Sequence, residues 1–195
     1  MTNRVATLVT VMAVVLGTAA TARAQVPLAG PPLFELTGGY QLLRVSADGS
    51  NTYPVGVAVD GARYVGPYAL VVELGWSRDS TEVLGAGVSA SSTVLHFGGG
   101  PRYLLVPDGR IRPYLQVLAG FARASFSTTT PGGTSTGSDS AFMVQPGFGV
   151  LIVMGPAWGF VGAVDYRRSF YGDDAQNLTS THEGRGFFGV RLILE

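Results

Sequence analysis

AFMVQPGFGVLIVM, residues 141–154, carries two messages on alternate positions. Phe142, Val144, Phe148, Val150 and Ile152 share one phase; Gln145, Gly147 and Gly149 share the other. A period of two marks a β-strand with two unlike faces. The chemistry of the second face decides what kind of strand it is. In a water-soluble barrel or sandwich that face meets solvent and should carry Lys, Glu, Arg and Thr, whereas Gly and Ala form exposed strands poorly. Small residues suit a cramped interior instead. The apolar face then looks out, toward hydrocarbon.

The same alternation recurs along the chain. Phe34, Leu36, Tyr40 and Leu42 are followed by Val55, Val57 and Val59, by Leu70, Val72, Leu74 and Trp76, and by Leu95, Phe97 and Tyr103. Trp158, Phe160, Val164 and Tyr166, then Phe188, Val190, Leu192 and Leu194, continue the series. The opposite phase holds Glu35, Thr37, Gly39 and Gln41, then Gly56, Ala58 and Asp60, then Glu73, Gly75 and Ser77. It goes on through His96, Gly98, Gly100 and Arg102, through Gly159, Ala163, Asp165 and Arg167, and through Arg185, Gly189 and Arg191. One strand is ambiguous: Leu115, Val117, Ala119 and Phe121 face one side, but Tyr114 and Leu118 interrupt the other.

Eight strands are expected, over Leu33–Val45, Tyr53–Asp60, Tyr68–Ser77, Ser92–Val106, Arg112–Phe126, Ala141–Met154, Ala157–Arg167 and Gly184–Leu194. Tight turns are expected at Asp60–Pro67, Pro107–Arg110 and Gly155-Pro156, where Gly and Pro supply turn geometry. Longer polar loops are expected at Ser46–Thr52, Arg78–Ser91, Ser127–Ser140 and Arg168–Glu183. Short turns at one end and long loops at the other describe a meander closed on itself. Eight staves enclose a space just wide enough for side chains. The fold class is therefore all-β: an eight-stranded antiparallel up-and-down transmembrane β-barrel after a cleaved signal peptide. A soluble exported β-barrel is the alternative.

Composition agrees. The 195 residues contain 46% hydrophobic and 13% charged residues, the latter about half the share usual in soluble domains. Net charge is zero, so no basic field exists to hold nucleic acid. All 13 cationic side chains are Arg. With no Cys, disulfides and thiolate metal sites are excluded. Residues 1–24 read as a signal peptide: Arg4, an apolar stretch Val5–Leu16, and Ala22-Arg23-Ala24 as cleavage pattern, with maturation at Gln25. Residues 25–32 form a Pro-rich lead-in and 33–195 the barrel domain.

Aromatic residues gather at the expected strand ends. Phe34, Tyr68, Tyr103 and Trp158 lie on the short-turn side; Tyr53, Trp76, Phe142, Tyr166 and Phe170 lie on the long-loop side. Two such girdles at the headgroup levels, with an aliphatic band between them, are the mark of a membrane barrel.

Five segments carry a resemblance: Phe34–Tyr40, Gly98–Tyr103, Arg112–Leu115, Val164–Arg167 and the last strand. The chain resembles the small eight-stranded outer-membrane β-barrels of Gram-negative bacteria, the group of the outer-membrane protein A barrel domain and the X-type and opacity-type barrels. The resemblance implies a monomer in outer-membrane lipid, inserted by the barrel-assembly machinery, with long loops outside and short turns in the periplasm. It also implies an assembly signal at Gly189, Leu192 and Leu194, although Phe187 stands where a polar residue is usual and Leu194-Glu195 replaces a terminal aromatic.

Chemistry-bearing residues are few. Glu35, Glu73, His96, Arg102, Asp165, Arg167, Arg185 and Arg191 fall in the inward phase, where they are expected to pair, since an unpaired buried charge is very costly. His96 precedes Phe97-Gly98 with no Ser two residues on, and His182 sits beside Glu183 in a loop, so neither offers an activated nucleophile. Gly98–Gly100 opens no helix and is not a phosphate loop. The expectation is a protein without enzymatic activity, cofactor or metal, serving envelope structure or surface interaction through its loops. A narrow pore and a lipid A-modifying, deacylase-like enzyme are the alternatives.

Overall fold

The computed structural model describes residues 34–46, 50–83, 88–171 and 179–194. The expected signal peptide and the expected lead-in lie outside the described residues. Nine strand segments follow in order: β1 Phe34–Ser46, β2 Ser50–Tyr53, β3 Val55–Val65, β4 Tyr68–Val83, β5 Val88–Leu104, β6 Ile111–Thr130, β7 Gly133–Val153, β8 Trp158–Tyr171 and β9 Thr179–Leu194. β2 and β3 are two parts of one stave, so eight staves pair antiparallel with their neighbours, and β9 closes on β1. The result is a closed all-β barrel.

The ladder pairings fix the stagger. They run from Leu36 to Gly61, Val72, Gly99, Ala119, Val144, Arg168 and His182, and return to β1 at Ser46. Ten residues separate start and return on the same strand. Such a stagger tilts the strands by about 35–45° and sets the narrow bore.

The two phases separate as alternation requires. Phe34, Leu36, Tyr40, Leu42, Val57, Leu74, Phe97, Val164, Phe188 and Leu192 are exposed on the outer wall. Charged and small residues are buried inside. β6 resolves the same way: Tyr114 and Leu118 fill the lumen, while Leu115, Val117 and Phe121 face out. The lumen glycines make room for these larger neighbours. A methyl group at Gly75 would run into the His96 ring, one at Gly147 into the Asp165 carboxylate, and one at Gly149 into the Tyr114 ring.

Several boundaries differ from expectation. The first turn is Gly66-Pro67 with Gly66 at φ 60°, not Asp60–Pro67, because the alternation Asp60, Ala62, Tyr64 inward continues to Val65. Ser127–Ser140 is not a loop: β6 and β7 pair as far as Thr130 and Gly133 around a turn at Pro131-Gly132. β4 and β5 likewise pair to Val83 and Val88. Thr is a good strand former, Thr and Ser bond across a ladder as Thr129 does with Thr134, and both are polar enough to leave the membrane. These four strands stand as a sheet above the rim.

Candidate functional site in the lumen and at the rims

Among the described residues, every stave except that of β7 sends a formal charge into the lumen, and β7 contributes Gln145. Arg185 of β9 is the hub. It reaches across the bore to Glu73 of β4 with two bonds, Nη1 to Oε1 at 2.5 Å and Nη2 to Oε2 at 2.7 Å. Its Nε donates to Asp165 Oδ2 at 2.8 Å. This fork-to-fork geometry is the strongest form of ion pair.

The network extends in both directions. Above, Gln145 donates to Glu73 (3.2 Å), Arg167 Nε donates to Gln145 (2.8 Å), Arg167 Nη1 lies 3.3 Å from Glu183, and Ser169 donates to Glu183 (2.8 Å). Below, Gln116 donates to Asp165 (3.1 Å) and accepts from Arg102, which also pairs with Asp60 at 3.3 Å. Arg102 lies over the Tyr114 ring at 4.4 Å. Nearer the short turns, Arg191 Nη1 bonds Glu35 at 2.7 Å, and the Tyr64 hydroxyl donates to the same carboxylate at 3.1 Å. His96 Nε2 is 3.1 Å from Glu73.

Among the described residues, the buried charges balance: Glu35, Asp60, Glu73, Asp165 and Glu183 against Arg102, Arg112, Arg167, Arg185 and Arg191. Apolar packing fills what remains. Tyr64, Val71, Leu104, Tyr114, Leu118, Leu151, Val161 and Phe187 form a cluster lower in the bore, and Leu43, Tyr53 and Val94 pack over the upper end.

The structure thus brings all eight sequence-expected lumen charges inside. It adds Asp60, Arg112, Glu183 and the glutamines Gln41, Gln116 and Gln145 to the same network or its margins. Glu183 had read as loop, yet it stands two residues from Arg185 and so shares its face. That spacing was the signal. Gln116 was obscured by the apolar Tyr114 and Leu118 beside it. His182 remains on the outside, bonded to the Tyr166 hydroxyl.

Eight of the nine expected girdle residues point outward. Phe34, Tyr68, Tyr103 and Trp158 lie on the short-turn side, with Tyr68 and Tyr103 rings 5.0 Å apart. Trp76, Phe142, Tyr166 and Phe170 lie on the long-loop side, with Phe142 between Phe121 at 6.0 Å and Phe170 at 6.4 Å. Tyr53 is the correction. It is only 6% exposed and points into the lumen, with its hydroxyl 2.9 Å from Ser92 Oγ. The cause is Pro54. Tyr40 pairs with Val57 but Leu43 with Tyr53, so one extra residue is accommodated between them and the faces swap. This is a β-bulge, and Pro, lacking an N–H, belongs at one. The freed Pro54 carbonyl accepts a hydrogen bond from the Tyr40 hydroxyl. In β9, Gly189 faces inward opposite Gly39, while Leu192 and Leu194 face lipid.

Comparison with known proteins places this architecture. A family model described as the outer membrane protein beta-barrel domain matches residues 9–184. Among solved structures, Neisserial surface protein A is similar at TM-score 0.63 and 16% identity, covering 85% of this chain and 100% of its own. Ail, the attachment invasion locus protein of Yersinia pestis, is similar at TM-score 0.61 and 15% identity, covering 84% of this chain and 99% of its own. No curated protein matches the sequence. With strands that alternate lipid-facing and lumen-facing residues, girdles at both rims and a family match over most of its length, the chain belongs to the outer membrane β-barrel family and resides in the outer membrane.

Proposed function

We propose that this barrel is a non-enzymatic envelope protein that acts at its long-loop end, as a membrane anchor presenting a β-sheet for surface contact. The filled lumen carries this reading. Among the described residues, ion pairs, glutamines and apolar side chains occupy the bore from Glu35 to Ser169, and this filling supports a plug rather than a path for substrate. His96 is 1% exposed and held against Glu73, so no lipid ester reaches it. Among the described residues, what remains accessible at that end is the sheet of β4 to β7 above the rim, whose β6–β7 hairpin is almost wholly Ser, Thr, Gly and Asp. Ail has been crystallised in complex with the heparin analogue sucrose octasulfate, and contact with an external ligand is the same class of role.

The barrel is proposed to act as a monomer, because closure leaves no strand edge within the membrane. The assembly machinery is proposed to read Gly189, Leu192 and Leu194. The test is conductance. Purified protein refolded into planar bilayers should give no discrete channel openings, and shortening the β6–β7 hairpin should abolish binding to host or matrix surfaces without altering refolding. Steady unitary currents from the wild-type protein would instead make it a pore.

A further inference from the structure

The outer wall carries a ring of charge that a sealed lumen does not require. Arg44 on β1, Arg78 on β4, Arg123 on β6 and Arg168 on β8 are all exposed. Each follows by two residues a member of the lipid-facing row: Leu42, Trp76, Phe121 and Tyr166 respectively. Their side chains therefore leave the barrel on its outer face. They occupy every strand that runs toward the long-loop end.

They also stand at one height. A stagger of ten residues over eight staves means that the ladder climbs about one and a quarter residues per stave. From Arg78 the ladder passes Thr93 to Ser125, two residues above Arg123. From Arg168 it passes His182 to Ser46, two residues above Arg44. In both cases the two-residue step cancels most of the climb across two staves. The four Cα atoms lie within about 4 Å of one level. That level is the upper aromatic girdle, because Arg123 pairs with Ser140, two residues from Phe142.

Two of the guanidinium groups are held leaning away from the hydrocarbon. Arg123 Nη2 donates to Ser138 Oγ at 3.1 Å, and Ser138 lies two residues beyond its ladder partner Ser140 on the long-loop side. Arg168 Nη2 donates to Ser180 Oγ at 3.2 Å, two residues beyond its partner His182 in the same direction, with its guanidinium over the ring of Phe170, which lies two residues further toward the long-loop end. This is snorkelling: an apolar stem along the wall and a charged head at the interface. Among the described residues, the outward positions at this height otherwise carry Thr52, Thr93, Ser138, Ser140, Ser180 and His182, and no carboxylate. At the opposite rim the outward strand positions offer one Arg, Arg63, which lies over the Phe34 ring.

Four guanidinium groups at headgroup depth on one side of a bilayer call for anions fixed at that depth. Guanidinium binds phosphate through two parallel N–H donors, so the matching chemistry is a phosphorylated headgroup. We infer that Arg44, Arg78, Arg123 and Arg168 form a collar that binds the phosphates of the outer leaflet's glycolipid and holds a shell of that lipid around the barrel. The inference rests on the long-loop end facing out. Protease accessibility on whole cells reports that orientation separately, and the following test does not depend on it.

The full barrel is refolded into phosphatidylcholine nanodiscs containing bis-phosphorylated lipid A, and lipid retained after gentle detergent release is counted by native mass spectrometry. Wild-type protein should retain lipid A in preference to phosphatidylcholine. Changing each collar Arg to Ser should lower retention by about fivefold. The four-Ser variant should retain lipid A no better than phosphatidylcholine, and Arg63→Ser should match wild type. Lipid A stripped of phosphate should not be enriched. Folding is read independently by the heat-dependent gel shift, and if the four-Ser variant fails to fold, the four single variants carry the test. Undiminished retention without the arginines, equal retention of dephosphorylated lipid A, or an equal loss on Arg63→Ser would overturn the proposal.

Discussion

Glu73 and Arg185 show what a single residue contributes here. Each is buried; removing Glu73 leaves Arg185 with the carboxylate of Asp165 alone, and removing Arg185 leaves Glu73 and Asp165 without their shared guanidinium. Breaking one side of a buried pair typically costs about 3–5 kcal/mol. Glu73→Ala should therefore lower the unfolding free energy of the lipid-reconstituted barrel, read by urea titration, by that order with a lower midpoint, and the double change with Arg185→Ala should cost less than the sum of the singles. A wild-type midpoint in Glu73→Ala would show that the network carries no stability. On the outer wall the logic reverses. Val164 lies midway between the girdles, and Val164→Arg should cost about 2–4 kcal/mol. A spin label at Val164→Cys should meet dissolved oxygen and not a water-soluble nickel reagent, whereas a label at Ala163→Cys should be immobile in the packed lumen. A mobile, water-exposed label at Ala163 would contradict the inward assignment. At this scale the sequence was highly legible, because face follows from parity alone. Parity failed at Tyr53 because one Pro shifts the count, and nothing in the local composition says on which strand the extra residue will be absorbed.

At the scale of elements, the strand cores were legible and their extensions were not. Turn residues such as Asp60-Gly61 and Ser/Thr runs such as Ser127–Thr130 look like loop in isolation. They become strand because a neighbour supplies the ladder: β6 is held by β5 to Thr129 and by β7 to Thr130. The β6–β7 hairpin should behave as a rigid projection with a vulnerable tip. Protease added to intact cells should cut near Pro131-Gly132 and leave the turn Pro107–Arg110 untouched. Cleavage at Pro107–Arg110 in intact cells would reverse the orientation. The Pro54 bulge gives an element-level test as well. Deleting Pro54 should remove the bulge and leave a regular ladder in which Tyr53, now next to the outward Val55, still faces the lumen with its hydroxyl near Ser92. A spin label at Tyr53→Cys should be shielded from lipid-dissolved oxygen with and without Pro54, and shielding lost only after the deletion would contradict the bulge.

At the scale of the whole molecule, eight staves and a ten-residue stagger were partly legible: the count came from periodicity, while stagger depends on pairings that no single strand encodes. The export reading gives a whole-chain expectation. Protein from the outer-membrane fraction should have the intact mass of a chain starting at Gln25, and a mass that includes Val5–Leu16 would mean retention of the apolar segment. The cross-lumen pairs also bear on how the barrel forms. Glu73 and Arg185 are 112 residues apart, and Glu35 and Arg191 are 156 apart. In both pairs the guanidinium rides on the final strand, β9. Until β9 meets β1, two carboxylates face a half-built interior without their counter-ions. A partly closed sheet is thus penalised twice, by its open edges and by stranded charge. Closure becomes the committing step: assembly should wait on the last strand and then finish abruptly, and once shut, the barrel should reopen very slowly even where its equilibrium stability is ordinary.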